Sequence, residues 1–391
     1  MRKLEKNEVI DAVRLSEYAF QYTMPKEELD DKIKGYSEHE IWGDFEGDEL
    51  AAKLHLIDFE TWLSGKKIKM GGVASVATYP EHRRGGRVAR LLRNGLFEMK
   101  QKGQTISFLH PFQISFYRKF GYEVLNNWKK VELKAQDLKP LLAVSGKVRR
   151  VELDHVFEVL NPVYEAFATR FNGMLVRTEN WWKERVYSKG FRFATYTNEE
   201  GNITGYIYYK IENRTLEVEE MVCLDGESRR GLWNYLCQHD SMVDHATILT
   251  NESDQLAYLL ANPKVRTTVE PYFMARIVDV ENFLKEYPFT LESDETLFLH
   301  ITDDQAEWNN GSYLIDREGV KVFKGDKANA TCAHPPKRGI RCTINTLTSV
   351  LTGYQEPFFL YEAGLLEGSK EDVARLQRIR SAKETNFMDF F

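Results

Sequence analysis

Apolar residues recur along this chain with two periods, and the periods predict its elements. Over residues 9–22, Val9, Ala12, Val13, Ser16, Ala19 and Phe20 fall on one helical face. Residues 48–79 hold two strand-like runs, "LAAKLHLIDFETWL" and "IKMGGVASVATY", joined by "SGKK", which predicts a hairpin. In "PEHRRGGRVARLLRNGLFEMKQKG" the spacing returns to helical. Val88, Leu91, Leu92, Leu96 and Met99 share a face, and Gly103 closes the helix. A short buried strand "TISFLH", a short helix "QISFYRKF" and a strand "WKKVELK" follow.

A similar order returns between about 150 and 280. The helix-like "DHVFEVLNPVYEAFATRF" opens it, the strands "FRFATYT", "ITGYIYYKIE" and "LEVEEMVCLD" continue it, and the helix "SRRGLWNYLCQHDSMVDH" comes next. This points to a weak internal duplication. The last hundred or so residues alternate the strands "TLFLHIT", "GSYLID" and "VKVFKG" with the helices "INTLTSVLTG" and "EDVARLQRIRSA". Ser369 and Asp372 have the spacing of a capping box for the last helix. "AQDLKPLLAVSGKVRR" and "KEYPFTLESDE" read as bridges, so domains are expected at 1–140, 141–285 and 286–391. A chain of 391 residues is long enough for two or three cores.

Composition narrows the classes. Hydrophobic residues make up 42% and charged residues 29%, a globular balance, and the net charge is −6. Basic clusters sit beside acidic stretches, so no nucleic-acid footprint is expected. The N-terminal segment has no apolar h-region, and no apolar run approaches the ~20 residues that cross a bilayer, so no membrane partner is expected. Cys223, Cys237, Cys332 and Cys342 are widely spaced, without C-x-x-C or paired histidines. They read as buried reduced thiols in a cytoplasmic, metal-free protein.

The segment "GGVASVATYPEHRRGGRVARLL" carries the most chemistry. A strand of small residues stops at Pro80, which has no N–H for the ladder, and a basic glycine turn leads directly into a helix. The backbone N–H groups of residues 84–89 lie at the positive end of that helix, an arrangement suited to pyrophosphate. Gly85 and Gly86 permit close approach, and Arg83, Arg84 and Arg87 add positive charge. An ordinary strand–turn–helix connection with an exposed arginine face accounts for the same residues.

This segment, together with "SFYRKFGYEV", resembles the GNAT superfamily of acetyl-CoA-dependent N-acetyltransferases. Over its whole length the chain looks closest to the Eis-like branch, and "DDQAEWNNGSYLI" resembles the opening of a sterol-carrier domain. The resemblance implies an α/β fold with mixed sheets: two tandem GNAT-like domains, then a sterol-carrier-protein-2-like α+β domain. It implies acetyl-CoA with its pantetheine arm along Val76, Ala77 and Thr78. The pyrophosphate would lie on Arg84, Gly85, Gly86, Arg87, Val88 and Ala89, and the acetyl end near Phe112 and Gln113. Val88 stands where the wider superfamily has glycine or alanine. The second unit keeps Arg229, Arg230 and Gly231, but lacks the proline and has bulky Trp233, so no coenzyme is expected there.

Bare residues describe Tyr117 equally as a packed helix aromatic beside Phe116, Phe120 and Tyr122; the resemblance implies a general acid. No histidine or carboxylate of the first domain stands out as a base, and His110 reads as a contact residue or a satisfied core histidine. The resemblance assigns the base to the α-carboxylate of the last residue, here Phe391. The ending "ETNFMDFF" suits this, because Phe387, Phe390 and Phe391 are a costly tail to leave in water. Expected acceptors are small-molecule or peptide primary amines of aminoglycoside, polyamine or lysine type, in a trimeric or hexameric homo-oligomer. Glu27, Glu28, Asp30 and Asp31 could supply an acidic wall, though a solvated helix face explains them too. A different class, a lipid-binding or scaffolding protein with a vestigial transferase site, is carried by the last domain.

Overall fold

A computed structural model describes residues 1–36, 39–152, 155–187, 190–292, 295–324 and 338–391. Three mixed sheets organise them, of seven, seven and five strands. The first sheet contains β1 (Arg2–Lys3), β2 (His39–Glu46), β3 (Glu49–Leu63), β4 (Lys66–Thr78), β5 (Ile106–Leu109) and β6 (Glu123–Val124). The β3–β4 hairpin turns through Ser64 and Gly65, both at positive φ (52° and 82°). Two consecutive left-handed residues match the right-handed twist of paired strands.

Alternation along β3 divides the first unit into two faces. Ala52, Leu54 and Leu56 pack with Leu91, Leu92, Leu96 and Met99 of α3 (Arg87–Gln101). The opposite face carries Lys53, His55, Ile57 and Phe59, and on that side lie α1 (Val9–Phe20) and α2 (Lys26–Gly35). Glu27, Glu28, Asp30 and Asp31 are on the exposed side of α2.

The sheets exchange strands across the expected boundary at 140. β7 (Asn127–Lys134) pairs with His245–Asn251 and Arg266–Pro271 in the second sheet. Met274–Ile277 inserts between β5 and β6 in the first. Neither seven-stranded sheet is therefore built from one continuous segment. The bridge after residue 134 also contains a strand, Lys147–Val151, at the edge of the second sheet.

The five-stranded sheet, Gly319–Phe323, Gly311–Asp316, Leu297–Thr302, Ile340–Thr343 and Leu366–Glu367, packs with the helices Ile344–Thr352 and Lys370–Ile379. Ser369 Oγ accepts from the Asp372 amide at 3.1 Å, the cap expected for the last helix. Arg276 ties this part to the first sheet. Fully buried, it donates to Asp303 and to the Phe120 carbonyl. Cys223, Cys237 and Cys342 are free and buried, and Cys332 lies outside the described residues.

Candidate active site

β4 and β5 run parallel from Met70/Ile106 to Val73/Leu109, where β5 ends. β4 continues to Thr78 against β3, and their register shifts between Lys53 and His55. Ser75 takes up the extra residue at φ 49°, a β-bulge. Past it, Val76, Ala77 and Thr78 form the open edge of a wedge between the two parallel strands. The Thr78 hydroxyl is buried there with no hydrogen-bond partner among the described residues. A buried polar atom left unpaired at an open strand edge suits an extended ligand arm carrying amides.

The turn after β4 leads straight into α3. Arg84 (φ 67°) and Gly86 (φ 74°) are both left-handed, and Gly86 occupies the N-cap. Among the described residues no side chain caps α3, so its first amides are left without a side-chain acceptor. A Cβ on Gly85 would meet nothing closer than the His82 carbonyl at 3.9 Å, which leaves the approach clear. Arg83 and Arg84 are exposed. Arg87 differs from the expectation of free positive charge: its guanidinium pairs with Asp44 and Glu46 and donates to the Phe45 carbonyl at 3.2 Å. Arg90 joins Asp44 at 2.9 Å and Gly85 O at 3.0 Å. These pairs fasten the turn to β2, and Arg87 keeps only its backbone amide for a ligand. Val88 and Ala89 are half-buried beneath it. Helix end, glycine turn and unpaired strand edge together fit acetyl-CoA.

Beyond β5, Gln113 is extended and begins α4 (Ile114–Arg118), while Phe112 stands exposed. Tyr117 is buried, with Phe116, Phe112 and Tyr122 around it at ring distances of 5.1, 5.4 and 6.2 Å. Burial, with Tyr122 adding, pushes its phenol above the ordinary range, and among the described residues nothing hydrogen-bonds its hydroxyl. The last domain holds the end of α4, because Asn345 donates to the carbonyls of Arg118 and Tyr122 at 3.0 and 2.9 Å.

The C-terminal tail crosses to this unit. Thr385 bridges Asn172, and Asn126 donates to the Phe387 carbonyl at 3.1 Å. Phe387 is fully buried against Phe108 and Phe273. The Phe391 ring lies against Phe59 at 4.9 Å and Phe273 at 5.1 Å, directly over Gly72 of β4. A Cβ on Gly72 would come within 2.9 Å of that ring, so glycine makes room for the tail. Phe390 is exposed and faces His110 at 5.0 Å; His110 also meets Tyr272 at 5.4 Å, and desolvation lowers its pKa.

The strongest anchor is a residue that the sequence reading passed over. Asp389 is buried, paired with Arg177 at 2.9 Å and accepting from Trp181 Nε1 at 2.7 Å. Tyr272 donates to the Asp389 carbonyl at 2.8 Å. A lone carboxylate among phenylalanines was a visible signal. Its partner Arg177 had none.

The second unit differs where coenzyme is not expected. Asp225 caps the helix Gly226–Cys237 by accepting from the Ser228 amide at 2.7 Å, so a carboxylate already occupies the anion position. Arg170 donates to the Cys223 and Leu224 carbonyls across the adjoining strand end, and Arg229 pairs with Asp254. Trp233 turns inward and donates to Lys139 O at 2.9 Å, so crowding by its ring is not what fills the turn.

Fold and site together define a tandem acetyltransferase with an appended carrier-like domain. Residues 1–125 and 173–277 each match an acetyltransferase (GNAT) domain family, and residues 280–389 match the sterol carrier protein domain family. An uncharacterized N-acetyltransferase of Streptomyces griseus is 24% identical over 323 residues, covering 75% of this chain and 76% of that one. A probable N-acyltransferase from Enterococcus faecalis superposes with a TM-score of 0.91 at 27% identity, over 100% of this chain and 99% of the other. Eis1 of Mycobacterium abscessus shares the fold, with a TM-score of 0.80 at 20% identity, over 100% and 99%. The chain belongs to the GNAT N-acetyltransferases, with a sterol-carrier-like domain after its two GNAT domains, and it is an acyltransferase.

Proposed function

We propose that this chain transfers the acetyl group of acetyl-CoA to a primary amine, by direct attack, at the wedge between β4 and β5. The observation that carries the reading is the Phe391 ring over Gly72, which brings a chain terminus to the strand whose edge opens one turn further on. Val76, Ala77 and Thr78 hold the pantetheine arm, the amides of Arg84 to Ala89 the pyrophosphate, and Phe112 and Gln113 border the acetyl end. The second unit takes no coenzyme. It lends Arg177, Trp181 and Glu220 to dock the tail.

Tyr117 serves as general acid. Its raised pKa keeps the proton on the phenol until a thiolate forms beside it. The Phe391 carboxylate serves as base, held at the first sheet by the packing of its ring on Phe59 and Phe273. Aminoglycoside, polyamine and lysine-type amines are the acceptor classes. The same reading places the protein in the cytoplasm as a trimer or hexamer; among the described residues no helix is long and apolar enough to cross a membrane.

Thiol release from acetyl-CoA over a panel of amines tests this with wild type, Tyr117→Phe and a chain extended by a few residues past Phe391. Tyr117→Phe is expected to lose on the order of 10²- to 10⁴-fold in kcat. Full activity in the extended chain would sink the terminal-base assignment, and no turnover of any amine by wild type would sink the transfer reading.

A further inference from the structure

Lys53, His55 and His39 have no part in the steps above, yet they are hydrogen-bonded in a row on the α1–α2 side of the first sheet. Lys53 Nζ lies 2.7 Å from Ser75 Oγ and 2.8 Å from His55 Nε2. His55 Nδ1 lies 3.0 Å from His39 Nδ1. Lys53 and His55 are fully buried, whereas Ser75 and His39, at the two ends of the row, are half-buried. Its inner end is the bulge itself. His55 pairs across the strands with Ala74, and Ser75 immediately precedes Val76, just beyond the point where β5 stops.

Among the described residues no counter-ion acts on the row. Tyr36, at the end of α2, packs edge-on to His55 at 4.7 Å and stacks on His39 at 5.1 Å. Ser16 of α1 meets Ser75 at 3.2 Å. The charged groups among the described residues that act on the row from outside are Lys32 of α2 and Arg185, both positive. An amine and two imidazoles buried beside cations shed their protons. Desolvation holds Lys53 and His55 well below their ordinary values and brings His39 down to about 4.

Lys53 N–H donates to Ser75 Oγ and to His55 Nε2, and His55 Nδ1–H to His39 Nδ1. With Lys53 neutral, the Ser75 hydroxyl can turn to donate to its lone pair instead, which sets the row for transfer. The remaining proton, on His39 Nε2, is at the half-buried end. Each donor then points outward from the cleft.

We propose that Ser75, Lys53, His55 and His39 form a proton relay that carries the acceptor's first proton from the wedge to solvent. The proposal rests on the amine-acetylation reading above. That reaction converts RNH₃⁺ and acetyl-CoA to RNHAc, CoA-SH and H⁺: an N–C bond forms, a C–S bond breaks, and nitrogen gives up two protons. The second is lost on attack, to the terminal carboxylate, and is balanced by the proton that Tyr117 gives to sulfur. The first must leave before attack, since an ammonium has no lone pair. It passes to Ser75 Oγ as that hydroxyl's own proton moves to Lys53. Lys53 passes one to His55 Nε2, His55 Nδ1–H moves to His39 Nδ1, and His39 Nε2–H goes to water. Return of the two tautomers resets the row.

The test compares kcat/KM of the full-length chain for spermidine at about pH 6.5 and about pH 9.5, below and near the pKa of an alkylammonium. Wild type, Lys53→Met and His39→Gln are measured, with coenzyme A affinity followed by calorimetry. Without the relay, only amine that is already neutral reacts. In both variants the ratio of kcat/KM between high and low pH is expected to rise about tenfold or more over wild type, with coenzyme affinity unchanged. His39→Gln, at the half-buried end, guards against a folding defect in Lys53→Met. An equal loss at both pH values, or no loss, in the presence of wild-type turnover overturns the relay alone. Absence of wild-type turnover overturns the relay together with the transfer reading.

Discussion

Arg177 and Asp389, 212 residues apart in sequence, form an ion pair at 2.9 Å whose side chains are only 2% and 3% exposed. Arg177 holds Glu220 with its other edge at 2.6 Å, and its guanidinium lies 4.0 Å from the Tyr164 ring centroid. The last residues are thereby fixed by a charge buried in the second unit while their rings fill the first.

Removing one member of a buried pair leaves the other desolvated and unpaired, at a cost of about 3–5 kcal/mol. Asp389→Ala is therefore expected to release the tail, expose it to carboxypeptidase and reduce acetyl transfer to the level of a chain ending before Phe387. Coenzyme A affinity, measured by calorimetry, is expected to stay within about twofold of wild type. Retained activity with a released tail would separate the tail from the chemistry.

Gly72 offers a test from the opposite side. Any Cβ at this position enters the space of the Phe59 and Phe391 rings, at 2.7 and 2.9 Å. Overpacking of this kind typically costs about 1–3 kcal/mol. The cheaper response is for the terminal residue to swing out, since Phe59 is fixed within β3. Gly72→Val is expected to lose acetyl transfer at least about tenfold while the melting temperature moves by only a few degrees.

What could be read from the sequence follows physical lines. The β3–β4 hairpin and the apolar face of α3 were legible because each is local and periodic. The exchange of β7 for Met274–Ile277 was not, since alternation shows that a strand exists and says nothing of which sheet it joins. The aromatic tail was visible in composition, but the Arg177–Asp389 pair depends on two distant segments meeting. Lys53 in "LAAKLHL" looks like the solvent side of an amphipathic strand. It is buried because α1, α2 and Tyr36 cover that face. Likewise, Arg87 reads as phosphate charge until β2 brings Asp44 alongside.

The buried histidines make stability depend on pH. His39 titrates at about 4 in the native state, below the ordinary histidine value of 6.5, and His55 is lowered as well. Between these limits the unfolded chain binds more protons than the native one, so stability rises with pH and is lost on acidification from about 6.5 toward 4. For His39 alone this amounts to about 3 kcal/mol. Urea unfolding at a series of pH values is expected to show the decline in wild type and a shallower one in His39→Gln. Parallel curves would mean that His39 is not held neutral by burial.

Gly86 tests the turn. At φ 74° it occupies a left-handed conformation that costs an alanine about 1–2 kcal/mol. An added methyl would find space, its nearest neighbour being Arg90 at 3.7 Å, so any penalty comes from backbone strain and not from a clash. Gly86→Ala is expected to weaken coenzyme A binding about tenfold by calorimetry as the turn relaxes away from the α3 amides. It should leave the tail protected from carboxypeptidase.

The second unit provides the complementary case. Asp225 already satisfies the amide that an anion would use, and Arg170 donates to the carbonyls of the adjoining strand end. Calorimetry is expected to give one coenzyme A per chain. Asp225→Ala removes an N-cap worth about 1 kcal/mol and frees the helix end. Arg170 still blocks the strand edge, so the stoichiometry should remain one. A second equivalent of coenzyme A in this variant would show that the cap alone closes the site. It would also mean that both GNAT units retain the shape to bind.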